Sequence, residues 1–388
     1  MDLTVLPGID ILMKSRLDLV RGQRVGIVTN HTGTNRDLRA TVDLLVSEPG
    51  VTVTALFGPE HGIRGDVSAG EHVGGSTDPR TGLPVHSLYG ETRKPTPEML
   101  TGVDVLVFDM QDAGVRFYTY TWTMALCLQA AAEQGRRMVV LDRPDPISGA
   151  IVEGGVVHPG FASFVGLYPV ATRHGMTLGE IALWLSGTFR LGCDLHVVPM
   201  QGWRRSMWWE ETRLPFVPMS PNANSMEMLA LYPGTCFFEA TNLSEGRGTA
   251  LPLQIFGAPW LNEQAVIAEL QSRRLPGVLF RPTYFTPLAS KHQGELCRGV
   301  QIHVTDRRAL RPVALGAHLL DVCRRLHPGE FALRPAALGV VRPLDRLTGS
   351  GRLAQVLESG EPVAGVLAEW EQEAAAFTEA ARAYYLYG

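Results

Sequence analysis

The chain has 388 residues, of which 45% are hydrophobic and 19% are charged, and its formal net charge at pH 7 is −4. These values are typical of a globular protein of about two domains with a substantial hydrophobic core. The slightly acidic balance gives no basic surface for nucleic acid, and no polybasic or amphipathic stretch predicts binding to a membrane. No apolar run reaches the length of a transmembrane helix.

The five cysteines are scattered and form no Cys-x-x-Cys pair; they are Cys127, Cys193, Cys236, Cys297 and Cys323. Neither a disulfide framework nor a zinc ribbon is predicted, and reduced thiols fit a reducing compartment. The first 20 residues contain no basic segment followed by a long apolar one, so no secretory signal is predicted. We therefore expect a cytoplasmic protein, or a periplasmic or secreted one if a signal segment has been removed.

The first half of the chain alternates segments typical of strands and of helices. Strands are predicted over residues 24–29, 51–57, 103–110, 137–142 and 195–200. Helices are predicted over residues 37–48, 95–102, 120–135 and 177–189. This alternation predicts an α/β fold, in which a parallel sheet is covered by helices on both faces.

The pattern changes beyond about residue 215. Residues 214–225 are rich in Pro and Asn, which is typical of a linker or an ordered crossover loop. Strands over 277–287 and 297–306 and helices over 311–326 and 361–386 predict a smaller α+β domain. We expect a catalytic domain over 1–215, a crossover segment lining the cleft over 216–260, and an auxiliary domain over 261–388.

Polar clusters follow four of the predicted strands. They are Asn30 and His31; Glu60, His61 and Arg64 in "GPEHGIRGD"; Asp109, Gln111, Asp112, Arg116, Tyr118 and Tyr120; and Asp142, Arg143 and Asp145. In open α/β sheets, ligands bind outside the carboxyl ends of the strands. The four clusters therefore predict one binding cleft at one edge of the sheet.

Several common uses of such a cleft are disfavoured by the sequence. The turn after the first strand, "TNHTGTN", has one glycine and is not a Gly-x-Gly-x-x-Gly dinucleotide motif. A P-loop and a Gly-x-Ser-x-Gly nucleophile turn are also absent from the sequence. Glu60, Glu71 and Glu245 remain, and a buried carboxylic acid of raised pKa is what glycoside hydrolysis requires.

Other interpretations of the same residues stay open at this point. Asp109 and Asp142 are equally expected to cap the turns that follow them, and the arginines to form structural ion pairs. Residues Glu60, His61, Asp66, Glu71 and His72 are all possible metal ligands, although their spacing matches no standard motif. A third alternative is a non-catalytic module that captures a sugar or an acidic ligand.

A series of motifs along the chain resembles one known family. In order they are "GIDIL", "GQRVGIVTNHTG", "LFGPEHGIRGD", "TGLPVHSLYG", "VDVLVFDMQDAGVRFYTY", "VVLDRPDPISG", "VEGGVV", "RHGMTLGE", "MQGWRR", "YPGTCFFEATNLSEGRGT" and "GAPW". This series resembles the NamZ-like exo-β-N-acetylmuramidases. The motifs are dense from residue 8 to residue 260 and indistinct beyond about residue 300.

The resemblance implies an exo-acting glycoside hydrolase that releases N-acetylmuramic acid from the non-reducing end of peptidoglycan fragments. The substrate would be a muropeptide or a disaccharide from a glycan strand. The implied fold is a Rossmann-like catalytic domain with a smaller C-terminal domain, and the site lies between them. No nucleotide, catalytic metal or other cofactor is implied.

The resemblance also implies site residues. Glu60 occupies the position of the glutamate in the family's motif after the second strand, and we predict that it is the catalytic acid. Glu245 and Asp109 are the other candidate catalytic residues, either as a base acting through water or as a group that orients the 2-acetamido nucleophile. The predicted substrate-binding residues are Asn30, His31, His61, Arg64, Gln111, Arg116, Tyr118, Tyr120, Arg143, His174 and Arg247.

Overall fold

The structure is a computed structural model that describes residues 4–59, 62–64, 76–90, 92–338 and 340–388. Its strands are β1 (Arg24–Thr29), β2 (Thr52–Gly58), β3 (Ser76–Thr77), β4 (Pro84–Ser87), β5 (Val105–Asp109), β6 (Arg137–Leu141), β7 (Asp194–Val198), β8 (Ile255–Ala258), β9 (Val278–Phe285) and β10 (Cys297–Val304). In the described residues, seven of these form one sheet in the order β3-β4-β2-β1-β5-β6-β7.

The α-helices are α1 (Gly8–Ser15), α2 (Thr41–Ser47), α3 (Tyr120–Glu133), α4 (Leu178–Phe189), α5 (Trp209–Thr212), α6 (Met226–Thr235), α7 (Glu263–Ser272), α8 (Pro312–Leu326), α9 (Pro343–Thr348), α10 (Arg352–Ser359) and α11 (Ala364–Ala381). Short 3-10 helices span Leu17–Leu19, Cys236–Ala240 and Arg382–Tyr384. Within the described part of the chain, no helix combines the length and apolar character needed to cross a membrane.

The large sheet is covered on both faces, as the apolar strands predict. All five residues of β5 are buried. Val105 and Val107 pack with α1 and α2, whereas Leu106 and Phe108 pack with α3 and α4. Six strands run parallel and β3 alone among the described strands of this sheet is antiparallel. The predicted α/β fold is confirmed.

The order of the strands fixes where a ligand cleft forms. From β1 the chain moves to β2 on one side and later returns to place β5 on the other side of β1. The connections after β1 and β5 therefore leave the sheet in opposite directions. Such a switch point opens a crevice at the carboxyl ends of the two strands.

The second part of the chain builds a smaller antiparallel sheet in the order β8-β10-β9, which packs with α6, α7 and α8 around its own apolar core. This confirms the predicted smaller α+β domain. Helix α11 contacts both parts, because Trp370 lies 6.3 Å from Phe237 and Phe377 lies 5.5 Å from Trp184, measured between ring centroids.

Some predicted elements differ from the structure. Residues 97–102 form turns where a helix over 95–102 was expected. Pro95 and Pro97 each lack an N–H, and Gly102 has a φ of +78°, so a regular helix has neither the length nor the donors to form there. The short strands β3, β4 and β8 were not predicted, because runs of two to four residues carry little periodic signal.

Candidate active site

The turns after β1 and β5 join into one unit at the switch point. Thr29 pairs with Asp109 in the parallel register, and the Thr29 hydroxyl donates to the Asp109 carbonyl at 2.6 Å. Two residues beyond Asp109, the backbone N–H of Gln111 donates to the Thr32 hydroxyl at 3.0 Å. The side chains that follow the two strands are therefore held at fixed separations.

Two buried amide side chains in this unit have an unused polar group. Asn30 Oδ1 accepts from the Thr32 amide and hydroxyl, whereas Asn30 Nδ2 has no partner in the described residues. Gln111 Nε2 donates to the carbonyls of Asp112 and Pro144, whereas Oε1 has none. Because buried polar groups are nearly always satisfied, one donor and one acceptor here suit a bound ligand.

Asp109 and Arg143 form a buried ion pair across the ends of β5 and β6. Arg143 Nε and Nη2 donate to the two Asp109 oxygens at 2.5 and 2.8 Å, and Nη2 also donates to the Thr34 carbonyl. The Thr41 hydroxyl donates to Asp109 as well. Asp109 is fully buried, so the geometry supports a carboxylate that positions Arg143 better than one that touches a ligand.

A small cleft lies in front of this ion pair and is partly covered by the segment 214–225. His31 Nε2 donates to the carbonyl of Pro218 at 2.7 Å, which ties the turn after β1 to that segment. His31 Nδ1 has no partner in the described residues. The cleft is lined by Pro7, Thr32, Thr34, Asn35, Leu38, Gln111, Arg143, Trp209, Leu214, Pro215 and Val217.

The segment after β2 begins at the same edge of the sheet. Gly58 pairs with Ser87 of β4, and Arg64 makes two bonds of 3.0 Å to Asp78. The Arg64 guanidinium lowers the pKa of Asp78, and the pair anchors the segment to the β3–β4 hairpin. Glu60 and His61 lie outside the described residues.

The other possible metal ligands of that segment, Asp66, Glu71 and His72, also lie outside the described residues. In the part of the chain that is described, no group of three or more His, Cys, Asp or Glu residues has the geometry to hold a metal ion.

Arg116 and His174 are packed inside the protein. The Arg116 guanidinium donates to the carbonyls of Gly155, Val170 and Leu347, and burial lowers its pKa to about 9. His174 is fully buried, and its Nε2 lies 3.3 Å from Asp112. The donors of Arg116 thus tie the loop after β5 to the loop after β6 and to α9, which supports a structural role for this guanidinium.

Three tyrosines link the switch point to the second part of the chain. Tyr118 makes edge-on contacts with Tyr120 and Tyr232, at centroid distances of 4.8 and 6.3 Å. The Tyr120 hydroxyl donates to the Met219 carbonyl. Burial raises the pKa of the Tyr232 hydroxyl, and Tyr232 lies near enough to Glu239 and Arg247 for their charges to shift it as well. This aromatic path therefore ends at the "SEGRG" motif, residues 244–248.

Glu245 and Arg247 of that motif form a second carboxylate–arginine pair. Arg247 Nε lies 3.2 Å from Glu245, and Arg247 Nη2 donates to Glu239. Burial opposes the charge of Arg247, but the two carboxylates raise its pKa above the usual value. The Glu245 side chain is 2% exposed and that of Arg247 is 28% exposed, so Arg247 is the member of this pair with more solvent access.

Sequence reasoning missed Lys291, whose ammonium lies 2.8 Å from Glu245. Its position on a loop between β9 and β10 carries no recognisable motif. The rarity of lysine was a signal that could have drawn attention to it. The 35 basic residues of the chain include only three lysines, Lys14, Lys94 and Lys291.

Comparisons with known proteins agree over the whole chain. The family model for the N-terminal domain of the exo-β-N-acetylmuramidase NamZ matches residues 25–227, and that for its C-terminal domain matches residues 230–387. A peptidoglycan β-N-acetylmuramidase NamZ from Bacillus subtilis is 45% identical over 383 residues, which cover 99% of this chain and 91% of that relative.

Two crystal structures of DUF1343 family proteins from Bacteroides fragilis are also similar. One has 37% sequence identity and a TM-score of 0.94, with complete coverage of both chains. The other has 30% identity and a TM-score of 0.80 over 99% of both chains. On these matches, the chain belongs to the NamZ family of exo-β-N-acetylmuramidases.

Proposed function

We propose that the protein is an exo-acting glycosidase that releases N-acetylmuramic acid from the non-reducing end of peptidoglycan fragments such as muropeptides or glycan-strand disaccharides. The observation that carries the proposal is the switch-point cleft, which is lined by Gln111, whose Oε1 has no partner in the described residues, and by the fixed guanidinium of Arg143. Family membership supplies the class of reaction. The described residues enclose about 20 Å³ here, which suits the carboxylate-bearing edge of a sugar and not the whole ring.

Glu60 is proposed as the acid that protonates the glycosidic oxygen. It follows β2, whose last residue, Gly58, lies beside the ends of β1 and β4. Arg64 lies four residues beyond Glu60 and is held by Asp78 through its Nε and Nη2, so we infer that it anchors this segment. A glycosidic bond requires such a proton donor because the leaving oxygen is a poor leaving group without it.

Arg143 is proposed to bind the lactyl carboxylate that distinguishes muramic acid from glucosamine. Its Nε and Nη2 are fixed by Asp109 and by the Thr34 carbonyl, so Nη1 is the nitrogen that meets the carboxylate. Asn30 Nδ2 and Gln111 Oε1 would then bond sugar hydroxyl or acetamido groups. Both supporting carboxylates, Asp109 and Glu245, are buried against cations, which supports positioning roles for them.

The test is release of nitrophenol from para-nitrophenyl N-acetyl-β-muramic acid, with the N-acetylglucosamine analogue in parallel. Wild type is expected to hydrolyse the muramic substrate selectively, with or without EDTA. On a natural disaccharide, Glu60→Gln should lose about 100- to 10,000-fold in rate. The loss should be smaller on the nitrophenyl substrate, whose leaving group needs less protonation.

A matched control is Glu133→Gln, which neutralises a glutamate that pairs with Lys94 on the surface. It should leave the rate unchanged. Absence of turnover of either sugar, or activity that EDTA abolishes, would contradict the proposal and favour a binding module or a metal-dependent hydrolase. Equal losses on both leaving groups for Glu60→Gln would contradict the acid role of that residue.

A further inference from the structure

The loop between β9 and β10 is built closely against the "SEGRG" motif. The Leu288 amide donates to the Gly248 carbonyl at 3.0 Å, and His292 Nε2 donates to the Asn242 carbonyl at 2.8 Å. Gly248 has a φ of +76°, and a Cβ at this position would lie 2.3 Å from the Ala289 nitrogen. Residues 288–292 therefore form part of the same structural unit as the motif.

This loop directs Lys291 into the protein. Lys291 Nζ donates to the carbonyls of Phe238 and Thr241 at 2.6 and 3.1 Å, and it lies 2.8 Å from Glu245 Oε2. The residues on either side, Ser290 and His292, have φ values of +68° and +56°. Left-handed backbone at two non-glycine residues is costly, so the contacts of this loop must offset that cost.

The charges around Lys291 come from several segments. Burial lowers the pKa of Lys291 below its usual value. Glu245 and Glu239 face the ammonium and oppose this shift, whereas Arg334 adds to it. Arg247 pairs with both carboxylates on the opposite side. Without Lys291, Glu239 and Glu245 would share Arg247 as their ion-pair partner, and the net charge of this cluster would be more negative by one unit.

We propose, as a deepening of the muramidase function proposed above, that Lys291 is a positioning and specificity residue that neutralises Glu245 so that this region does not repel the substrate's carboxylate. Its ammonium is engaged by two carbonyls and by Glu245, so it acts through Glu245 and not by touching the sugar. Arg247, whose side chain is 28% exposed, is the more solvent-accessible cation of this cluster.

The test uses para-nitrophenyl N-acetyl-β-muramic acid and its lactyl methyl ester, which lacks the negative charge. Lys291→Met removes the ammonium with little change in side-chain length. We expect KM for the acid to rise about tenfold and KM for the ester to change less than about threefold, because only the acid meets the unbalanced charge. Lys94→Met, which breaks the surface pair with Glu133, should change neither value.

A second variant separates charge from packing. Lys291→Met combined with Glu245→Gln restores the charge balance, so its KM for the acid should fall back below that of Lys291→Met alone. Equal KM changes for acid and ester, or no recovery in the double variant, would overturn the proposal. If wild type hydrolyses neither substrate, the failure is that of the muramidase function and not of the role of Lys291.

An activity-independent measurement addresses the ion pair itself. With three lysines in the chain, NMR of protein carrying ¹³C at lysine Cε resolves each ammonium titration. Lys291 should titrate below the usual range of a lysine, and Glu245→Gln should lower its pKa further because Glu245 raises it. Unchanged lysine titrations in Glu245→Gln would overturn the pairing even in an enzyme that is otherwise active.

Discussion

The Asp109–Arg143 pair and the Glu245–Arg247 pair both use a buried carboxylate to hold an arginine, but they are built differently. Asp109 and Arg143 stand at the ends of neighbouring parallel strands, so the hydrogen-bond register of the sheet sets their separation. Glu245 and Arg247 lie on one irregular segment, and Lys291 reaches them from a loop with left-handed backbone. The first pair is thus fixed by regular structure, whereas the second depends on packing between two loops.

The largest expected effect comes from breaking the pair that the sheet holds. Asp109→Asn leaves the Arg143 guanidinium, which is 6% exposed, without its carboxylate. Removing one partner of a buried pair typically costs about 3–5 kcal/mol in the free energy of unfolding, which urea denaturation measures. Asp104→Asn, which breaks the exposed pair with Arg24, should cost much less, because water screens exposed pairs. Similar costs for the two variants would contradict the buried role of Asp109.

The packing around the Glu245–Arg247 pair should depend on Gly248, which contacts the loop that carries Lys291. Gly248→Ala adds a Cβ in a left-handed conformation and forces it against the Ala289 backbone, so we expect a loss of roughly 3 kcal/mol in stability. Gly294→Ala is the control, because Gly294 has a φ of +78° and nothing within 4 Å of the added atom. It should lose only about 1 kcal/mol. Equal losses would show that the 288–289 backbone yields easily and that Lys291 is not firmly held.

The stability of the fold around Asp142, which accepts from the Arg143 backbone N–H, should depend on pH. The Arg143 amide donates to Asp142, as do the Thr177 and Tyr387 hydroxyls and the Gly179 amide. Burial nevertheless raises the pKa of Asp142 to about 7. The folded protein then holds the Asp142 proton more tightly than the unfolded chain does. The stabilisation of the fold by this proton is therefore complete below about pH 4 and is lost as the pH rises through 7.

Urea unfolding between pH 4 and pH 8 measures this effect. We expect the titration of Asp142 to lower the free energy of unfolding of wild type by about 4 kcal/mol as the pH rises through this range. Asp142→Asn cannot titrate and should show a shallower dependence. Asp145 and Glu153 also have pKa values raised by burial, so a residual slope is expected. An identical slope in the variant would contradict the assignment to Asp142.

The smallest effect concerns the cover of the cleft. His31→Ala removes the bond to the Pro218 carbonyl, and one such hydrogen bond contributes about 1 kcal/mol. If that energy holds the segment 214–225 over the cleft, KM should rise by about fivefold. His303→Ala, on the exposed side of β10, should leave KM unchanged. An unaltered KM in His31→Ala would separate this segment from substrate binding.

The location of the Asp109–Arg143 pair was largely predictable from the sequence, whereas the contacts of the Glu245–Arg247 pair were not. Strand periodicity placed Asn30, Asp109 and Arg143 at one edge of a sheet, because parallel strands end at the same edge. The motif around Glu245 was visible through its resemblance to a family. Its contact with Lys291 was not, because no short-range pattern relates the two positions.

The sequence alone determined the α/β fold, the smaller second domain and the sheet edge where polar residues gather, because hydrophobic periodicity and strand-end polarity are local properties of the chain. Tertiary structure decided which of those residues keep a free polar group. Arg116 and Arg143 look alike in the sequence, yet Arg116 donates to three buried carbonyls and Arg143 lines the cleft. That difference arises from which distant segments pack around each guanidinium, and only the folded chain brings those segments together.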